Sequence, residues 1–192
     1  MHTEFTIKLP AWTRDEIGAA SVLQSVEERM AFVIRLARLN VAQGTGGPFG
    51  AAVFDAAGNV VSAGVNLVES SVCSILHAEM VALALAQKTT ARYDLSDGGR
   101  LVYELVASTE PCAMCFGALP WSGISRLVCG ARDGDARAIG FDEGPKMPAW
   151  QEALENRGIS VVRDVLRQEA AEVLRKYAAA GGTIYNAARA GR

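Results

Sequence analysis

The sequence predicts an α/β protein in which one mixed sheet is covered by helices on both faces. Segments with helical spacing of apolar residues alternate along the chain with short apolar segments of strand length. This alternation is typical of a sheet between two layers of helices. A hairpin at the start of the pattern excludes a purely parallel sheet. Of the 192 residues, 50% are hydrophobic, which is enough for one domain with a sizeable core.

The first half of the chain contains two predicted helices that flank a hairpin. Apolar residues recur at helical spacing in the two predicted helices, and the two short apolar strands between them are separated by a glycine turn. The helix, the two strands and the second helix span 21–43, 51–55, 59–65 and 77–91. Residues 1–20 are predicted to be an irregular N-terminal extension, because Pro10 and Gly18 interrupt them.

The second half of the chain continues the alternation of strands and helices. The apolar segment 101–108 is a predicted strand. Pro111 suits the first turn of a helix that runs to about Trp121, because the N–H that proline lacks is not needed there. Residues 133–148 contain three glycines and two prolines and are predicted to be irregular. The other predicted strands and helices span 126–130, 149–157, 159–162 and 164–180.

Charge and composition narrow the classes of function. The formal net charge is −2, so no overall basic surface favours binding to nucleic acid. The N-terminal residues lack the apolar core of a secretory signal, and no apolar run approaches the roughly 18 residues of a membrane span. Four cysteines are too few for a disulfide scaffold. The sequence therefore predicts a cytoplasmic protein with no membrane partner.

Two short motifs together form a candidate zinc site. His77 begins one predicted helix, and Cys112 and Cys115 lie on one face at the start of another. The dipole at a helix N-terminus favours the thiolate form of cysteine. Three protein ligands leave a fourth position open, which is the catalytic arrangement of zinc. The alternatives are an incidental pair of cysteines, or a structural site that Cys73 completes as a fourth ligand.

A carboxylate accompanies the candidate metal ligands. Glu79 lies two residues after His77, so we expect it beside the metal rather than bound to it. Zinc lowers the pKa of water to about 7, and a neighbouring carboxylate can accept the proton and deliver it to a leaving amine. The combined pattern H-x-E and P-C-x-x-C is the signature of zinc deaminases. A zinc-stabilised binding module without turnover is the alternative, but it would not need Glu79.

At these residues the chain resembles the cytidine deaminase-like superfamily, and within it the bacterial guanine deaminases. The resemblance spans roughly residues 28–145 and includes further segments at 46–50, 64–66, 117–121 and 140–143. It implies a three-layer α/β/α sandwich with a five-stranded mixed sheet and bound Zn²⁺. It also implies that residues 1–192 form a single deaminase domain, with 1–20 as its N-terminal extension.

The resemblance implies roles for further residues. Asn66 would hydrogen-bond the substrate ring, although it could simply close the hairpin. Glu143 would contact a purine and assist proton transfer, although it could be a surface acid. The aromatic residues that would line the base pocket, unless they belong to the core, are Phe49, Trp121 and Phe141. The family is dimeric, so we expect a homodimer in which the C-terminal segment 140–192 is exchanged between subunits.

The reaction implied by the resemblance is zinc-dependent hydrolysis of guanine to xanthine and ammonia, and guanine-like aminotriazines could fit the same pocket. Two other enzyme classes share the motifs, tRNA adenosine deaminases and cytosine or pyrimidine deaminases. A tRNA substrate requires Lys and Arg contacts to phosphate. Because the chain carries a net charge of −2, we expect a small nucleobase as substrate.

Overall fold

The computed structural model describes residues 3–20 and 22–186, and within these ranges it contains seven helices and five strands. The helices are α1 (Trp12–Ala19), α2 (Val26–Ala42), α3 (Ala78–Thr90), α4 (Ala113–Ser122), α5 (Asp133–Ala138), α6 (Trp150–Glu155) and α7 (Arg167–Ala179). The strands are β1 (Gly50–Asp55), β2 (Val60–Val65), β3 (Tyr103–Thr109), β4 (Arg126–Ala131) and β5 (Ser160–Val162). Three short parts of the chain lie outside the described residues. They are 1–2 of the predicted N-terminal extension, residue 21 of the predicted first helix and 187–192 of the predicted C-terminal segment.

The five strands form one mixed sheet in the order β2-β1-β3-β4-β5. Strand β1 pairs antiparallel with β2 and β3, whereas β3, β4 and β5 pair in parallel. Successive side chains of β1 point to opposite faces: Ala52 and Phe54 pack in the apolar layer with α2 and α7, while Ala51 and Val53 pack with α3, α4 and α6. The predicted three-layer α/β/α fold with a five-stranded mixed sheet is therefore confirmed.

Two short helices occur where the sequence predicted irregular structure. Helix α1 packs on the body of the chain, and Trp12 Nε1 donates to Thr45 Oγ1 at 3.2 Å. Helix α5 begins where the Asp135 carboxylate accepts a hydrogen bond from the Arg132 backbone N–H at 2.8 Å. Both predictions were wrong because a helix of six or eight residues contains too few turns for a periodic apolar pattern.

The longer helices lie close to their predicted positions. Helix α2 begins later than predicted, because Ser25 and Glu28 form a capping box that fixes its first turn. The helices predicted over 77–91, 111–121, 149–157 and 164–180 are all present within a few residues. Within the described ranges, every helix is too short or too polar to span a membrane.

Strand β2 lies so close to α3 that only glycine fits at position 64. A Cβ atom on Gly64 would lie 2.2 Å from the backbone oxygen of Ala78 and 2.5 Å from the backbone nitrogen of Ala82. Both separations are far below van der Waals contact. This close approach sets the distance between the sheet and the helix that begins directly after His77.

We expect the substitution Gly64→Ala to lower the melting temperature of the zinc-loaded protein. Overpacking by a methyl group costs about 1–3 kcal/mol, which for a chain of this length corresponds to a decrease of about 2–12 °C. Gly117→Ala is the matched control, because a Cβ atom there meets nothing within 4 Å and alanine favours a helix over glycine. Equal melting temperatures of the two variants in differential scanning calorimetry would contradict the expectation.

Candidate active site

Three metal-binding side chains converge where the N-termini of α3 and α4 meet. His77 is the N-cap residue of α3, Cys112 is the N-cap residue of α4, and Cys115 lies in the first turn of α4. Nδ1 of His77 lies 3.4 Å from Sγ of Cys112 and 3.6 Å from Sγ of Cys115. All three donor atoms lie within 4.8 Å of one another. The helix starts therefore bring together the three residues that the sequence motifs singled out.

The donor set fits a tetrahedral zinc ion. Zn–N bonds of about 2.0–2.1 Å and Zn–S bonds of about 2.3 Å place nitrogen and sulfur about 3.6 Å apart, close to the separations in this site. The hydrogen bond with Cys115 lowers the pKa of Cys112 to about 4, so this residue supplies a thiolate. Cys73 is not a member of the donor group. Among the described residues the site thus has three donors, which contradicts the alternative of a structural site closed by Cys73.

A buried glutamate adjoins the three donors. Glu79 lies in the first turn of α3 and is only 8% exposed. Its carboxyl group lines the same pocket as His77 and Cys112, although it is not part of the donor group. Burial raises the pKa of Glu79 to about 7. A carboxyl group with such a pKa can both accept and donate a proton near neutral pH.

A second buried carboxyl group comes from the loop after α5. Glu143 is 6% exposed and lines the same pocket as Glu79. Burial, together with the negative charge of Cys112, raises the pKa of Glu143 to about 8. The backbone carbonyl of Glu143 accepts a hydrogen bond from the Ala113 amide at 2.9 Å, which ties this loop to the start of α4. Two carboxyl groups with raised pKa values in one pocket are typical of a proton-transfer site.

Aromatic side chains and one amide form the walls of the pocket. The rings of Phe49 and Phe141 meet edge to face at 5.0 Å, and Phe141 lies 5.0 Å from the ring of Tyr185. Buried Asn66 donates from Nδ2 to the hydroxyl group of Tyr185 at 2.7 Å. The structure therefore brings Phe49, Asn66 and Phe141 to the pocket that also contains His77.

Trp121 lies outside the pocket of its own chain, so its contact with the base stays a prediction for the dimer. Its side chain is 81% exposed near the C-terminal end of α4. Helix α4 runs away from the metal site, and each residue adds about 1.5 Å of length. Nine positions after Cys112, Trp121 is therefore more than about 13 Å further along the helix axis than the ligand that starts it.

The C-terminal tail supplies two pocket residues, from the segment 184–186 whose aromatic residue the sequence weakly suggested for a place over the site. Tyr185 and Asn186 both line the pocket. Asn186 anchors the tail, since its Oδ1 accepts from the Asp142 amide at 2.9 Å and its Nδ2 donates to the Gly140 carbonyl at 2.8 Å. The only signal in the sequence was an aromatic residue beside an amide in a tail of mostly small residues.

The structure combines a sheet between helical layers with three zinc donors, an open fourth ligand position and a buried carboxyl group. These features define a zinc-dependent hydrolase of the deaminase type. Residues 23–131 match the family model described as the cytidine and deoxycytidylate deaminase zinc-binding region. The chain belongs to this family and is a zinc-dependent aminohydrolase.

Individual relatives support this assignment over most of the chain. A solved structure of a guanine deaminase from Nitrosomonas europaea is 46% identical, with a TM-score of 0.88, and the match covers 93% of this chain and 98% of that one. A structure of NE0047 in complex with 2,6-diaminopurine is 48% identical, with a TM-score of 0.88 and coverage of 94% and 96%. A tRNA-specific adenosine deaminase from Haemophilus influenzae is 32% identical over 159 residues, 82% of this chain and 86% of that protein. The predicted resemblance to bacterial guanine deaminases is confirmed.

Proposed function

We propose that this chain hydrolyses guanine to xanthine and ammonia, with zinc held by His77, Cys112 and Cys115. The observation that carries the proposal is a small pocket in which these donors adjoin two buried carboxyl groups, Glu79 and Glu143. The pocket encloses about 210 Å³, less than the roughly 300–1,000 Å³ of sites for drug-sized ligands. Its size suits a single purine. The similarity to a guanine deaminase and to a protein that binds 2,6-diaminopurine supports an amino-substituted purine as substrate.

Glu79 is the proton carrier in this proposal. When bound, zinc supplies a nucleophile at neutral pH by lowering the pKa of water. Glu79 accepts one proton from the attacking water and delivers it to a ring nitrogen, and it then transfers the second proton, from the added hydroxyl group, to the leaving amino group. A pKa of about 7 allows both transfers at neutral pH. One water molecule is consumed and one ammonia molecule is released.

The other pocket residues orient the purine. Burial raises the pKa of Glu143, which favours a carboxyl group that can donate a hydrogen bond to the ring or a proton to the leaving group. Asn66 offers its amide to the ring edge. The rings of Phe49 and Phe141, which contact each other, form an apolar wall beside the purine and help to exclude bulk water from the site.

We also propose that the enzyme acts as a homodimer in the cytoplasm. Cysteine thiolates that bind zinc remain reduced in that compartment. Several large apolar side chains are exposed in the single chain and are available for contact with a second copy, among them Val72, Ile75 and Trp121. The exchange of segment 140–192 between subunits stays a prediction. Light scattering on the zinc-loaded protein measures the oligomeric state.

We expect the zinc-loaded chain to release ammonia from guanine with a kcat/KM at least about 100-fold above that for adenine or cytosine, since polar groups in the pocket reject rings that leave them unpaired. An ammonia assay over guanine, 2,6-diaminopurine, an aminotriazine, adenine, cytosine and a tRNA anticodon stem-loop tests this order.

Two outcomes of this panel would replace the proposal. Release of ammonia from the stem-loop but not from free guanine would favour the tRNA adenosine deaminase alternative, to which the Haemophilus relative belongs. The net charge of −2 argues against it. Zinc-loaded protein that is inert on every compound would favour a binding module without turnover.

A further inference from the structure

A buried lysine donates a hydrogen bond to the backbone next to the metal ligand Cys112. The side chain of Lys146 is only 7% exposed, and its ammonium group donates to the carbonyl oxygen of Pro111 at 2.8 Å. On the other side of Cys112, the Ala113 amide donates to the carbonyl oxygen of Glu143 at 2.9 Å. The segment from Glu143 to Lys146 is therefore attached to the chain on both sides of the ligand.

The ammonium group of Lys146 is held in place by acids and an aromatic ring. It lies 3.0 Å from Oδ1 of Asp133 and 3.8 Å from Oε2 of Glu110. It also lies 4.8 Å from the centre of the Trp150 ring, which favours a cation. A buried ammonium without partners would be costly, so these groups stabilise its charge and restrict its position.

The short loop between Glu143 and Lys146 transmits this restraint. The Gly144 carbonyl accepts hydrogen bonds from Arg137 at 2.9 Å and from the Lys146 amide at 3.0 Å. A Cβ atom on Gly144 would lie 3.0 Å from that of Ala113, so the loop packs tightly against the start of α4. Because the loop has so little space, a displacement of Lys146 would also displace Glu143.

We propose that Lys146 is a positioning residue for the deamination, which holds the carboxyl group of Glu143 at a fixed distance from Cys112 and the zinc site. The inference rests on the function proposed above for this pocket. Lys146 is not among the residues that line the pocket, so it acts through Glu143 and not on the substrate. A misplacement of about 1 Å in an active site can lower a rate by about 100-fold.

The substitution Lys146→Met removes the ammonium group and keeps an unbranched apolar side chain. We expect kcat on guanine to fall about 30-fold, with a smaller change in KM and an unchanged zinc content. Lys146→Arg, which keeps a positive charge, is expected to recover part of the loss. If Lys146→Met lost zinc, the substitution would act through the metal ligand Cys112 and not through Glu143, and the proposal would be overturned.

Arg163→Met is the matched control. Arg163 pairs with the same Glu110, and its guanidinium group lies 5.8 Å from the same Trp150 ring. Its hydrogen bonds go to Glu110 and Gln151, however, and not to the loop that carries Glu143. Because Glu110 lines the pocket, we expect Arg163→Met to lower kcat as well, but by much less than Lys146→Met, while the two variants lower the melting temperature about equally. An equal loss of kcat in both variants would contradict positioning by Lys146.

A double-mutant cycle with Glu143→Gln tests whether Lys146 acts through Glu143. If it does, Lys146→Met lowers the kcat of the Glu143→Gln protein by less than about threefold, far less than in the wild type. The proposal would be overturned if Lys146→Met lowered kcat by the same factor in the Glu143→Gln protein as in the wild type.

Hydrogen exchange on the zinc-loaded protein gives a readout that does not depend on turnover. We expect peptides that cover 111–119 and 141–147 to exchange faster in Lys146→Met but not in Arg163→Met. Unchanged exchange would overturn the proposal. Faster exchange in a protein that never deaminates guanine would refute the proposed function while supporting the restraint itself.

Discussion

Replacement of Glu79 by glutamine is expected to abolish turnover of guanine while the zinc site stays occupied. Glutamine keeps the shape of the side chain but cannot carry a proton. General acid–base catalysis contributes about 10²–10⁴-fold. Because Glu79 acts in both the attack of water and the departure of ammonia, we expect a loss of about 10⁴-fold in kcat. Ammonia release, measured together with the zinc content of the same sample, checks this result.

The Glu79→Gln substitution lowers activity, but we expect it to raise the stability of the metal-free protein. Burial raises the pKa of Glu79 to about 7, so the ionised form disfavours the folded state at pH values above its usual pKa. A neutral amide removes this penalty, and the metal-free variant should melt at a higher temperature than the wild type at pH 8. Glu155→Gln, at an exposed position on α6, should change neither property. Near wild-type turnover by a zinc-loaded Glu79→Gln protein would refute the role of Glu79.

Replacement of Cys115 by alanine is expected to remove both zinc and activity. Cys115 is fully buried and is one of only three donors that the described residues supply. Loss of a direct ligand should weaken zinc binding by more than the roughly 10–100-fold that follows loss of a residue that hydrogen-bonds a ligand. At substoichiometric zinc, turnover should therefore be undetectable. Metal analysis by mass spectrometry and the ammonia assay measure the two losses.

The matched control for the metal site is Cys129→Ala. Cys129 is also fully buried, but it lies in strand β4 and outside the donor group. Removal of its sulfur should cost some stability through a small cavity and leave the zinc content unchanged. Equal zinc content in Cys115→Ala and Cys129→Ala would contradict the assignment of Cys115 as a ligand.

The sequence by itself determined the metal site and most of the fold. His77, Cys112 and Cys115 could be assigned because ligand chemistry depends on residue type, and because spacing along a helix fixes which side chains share a face. The sheet and the longer helices could be predicted because their apolar periodicity repeats over several turns or alternates along a strand. The short helices α1 and α5 lack such repeats, so the sequence did not reveal them.

Only the tertiary structure decided how the pocket closes around these ligands. Tyr185 bonds to Asn66 across 119 positions of the chain, and Lys146 reaches Pro111 across 35. Trp121, which follows a recognisable motif, points to the surface instead. Local periodicity specifies the face of a helix or strand but not which distant segment packs against it. Such contacts depend on how all the layers pack together, and for this reason the restraint on Glu143 is visible only in the folded chain.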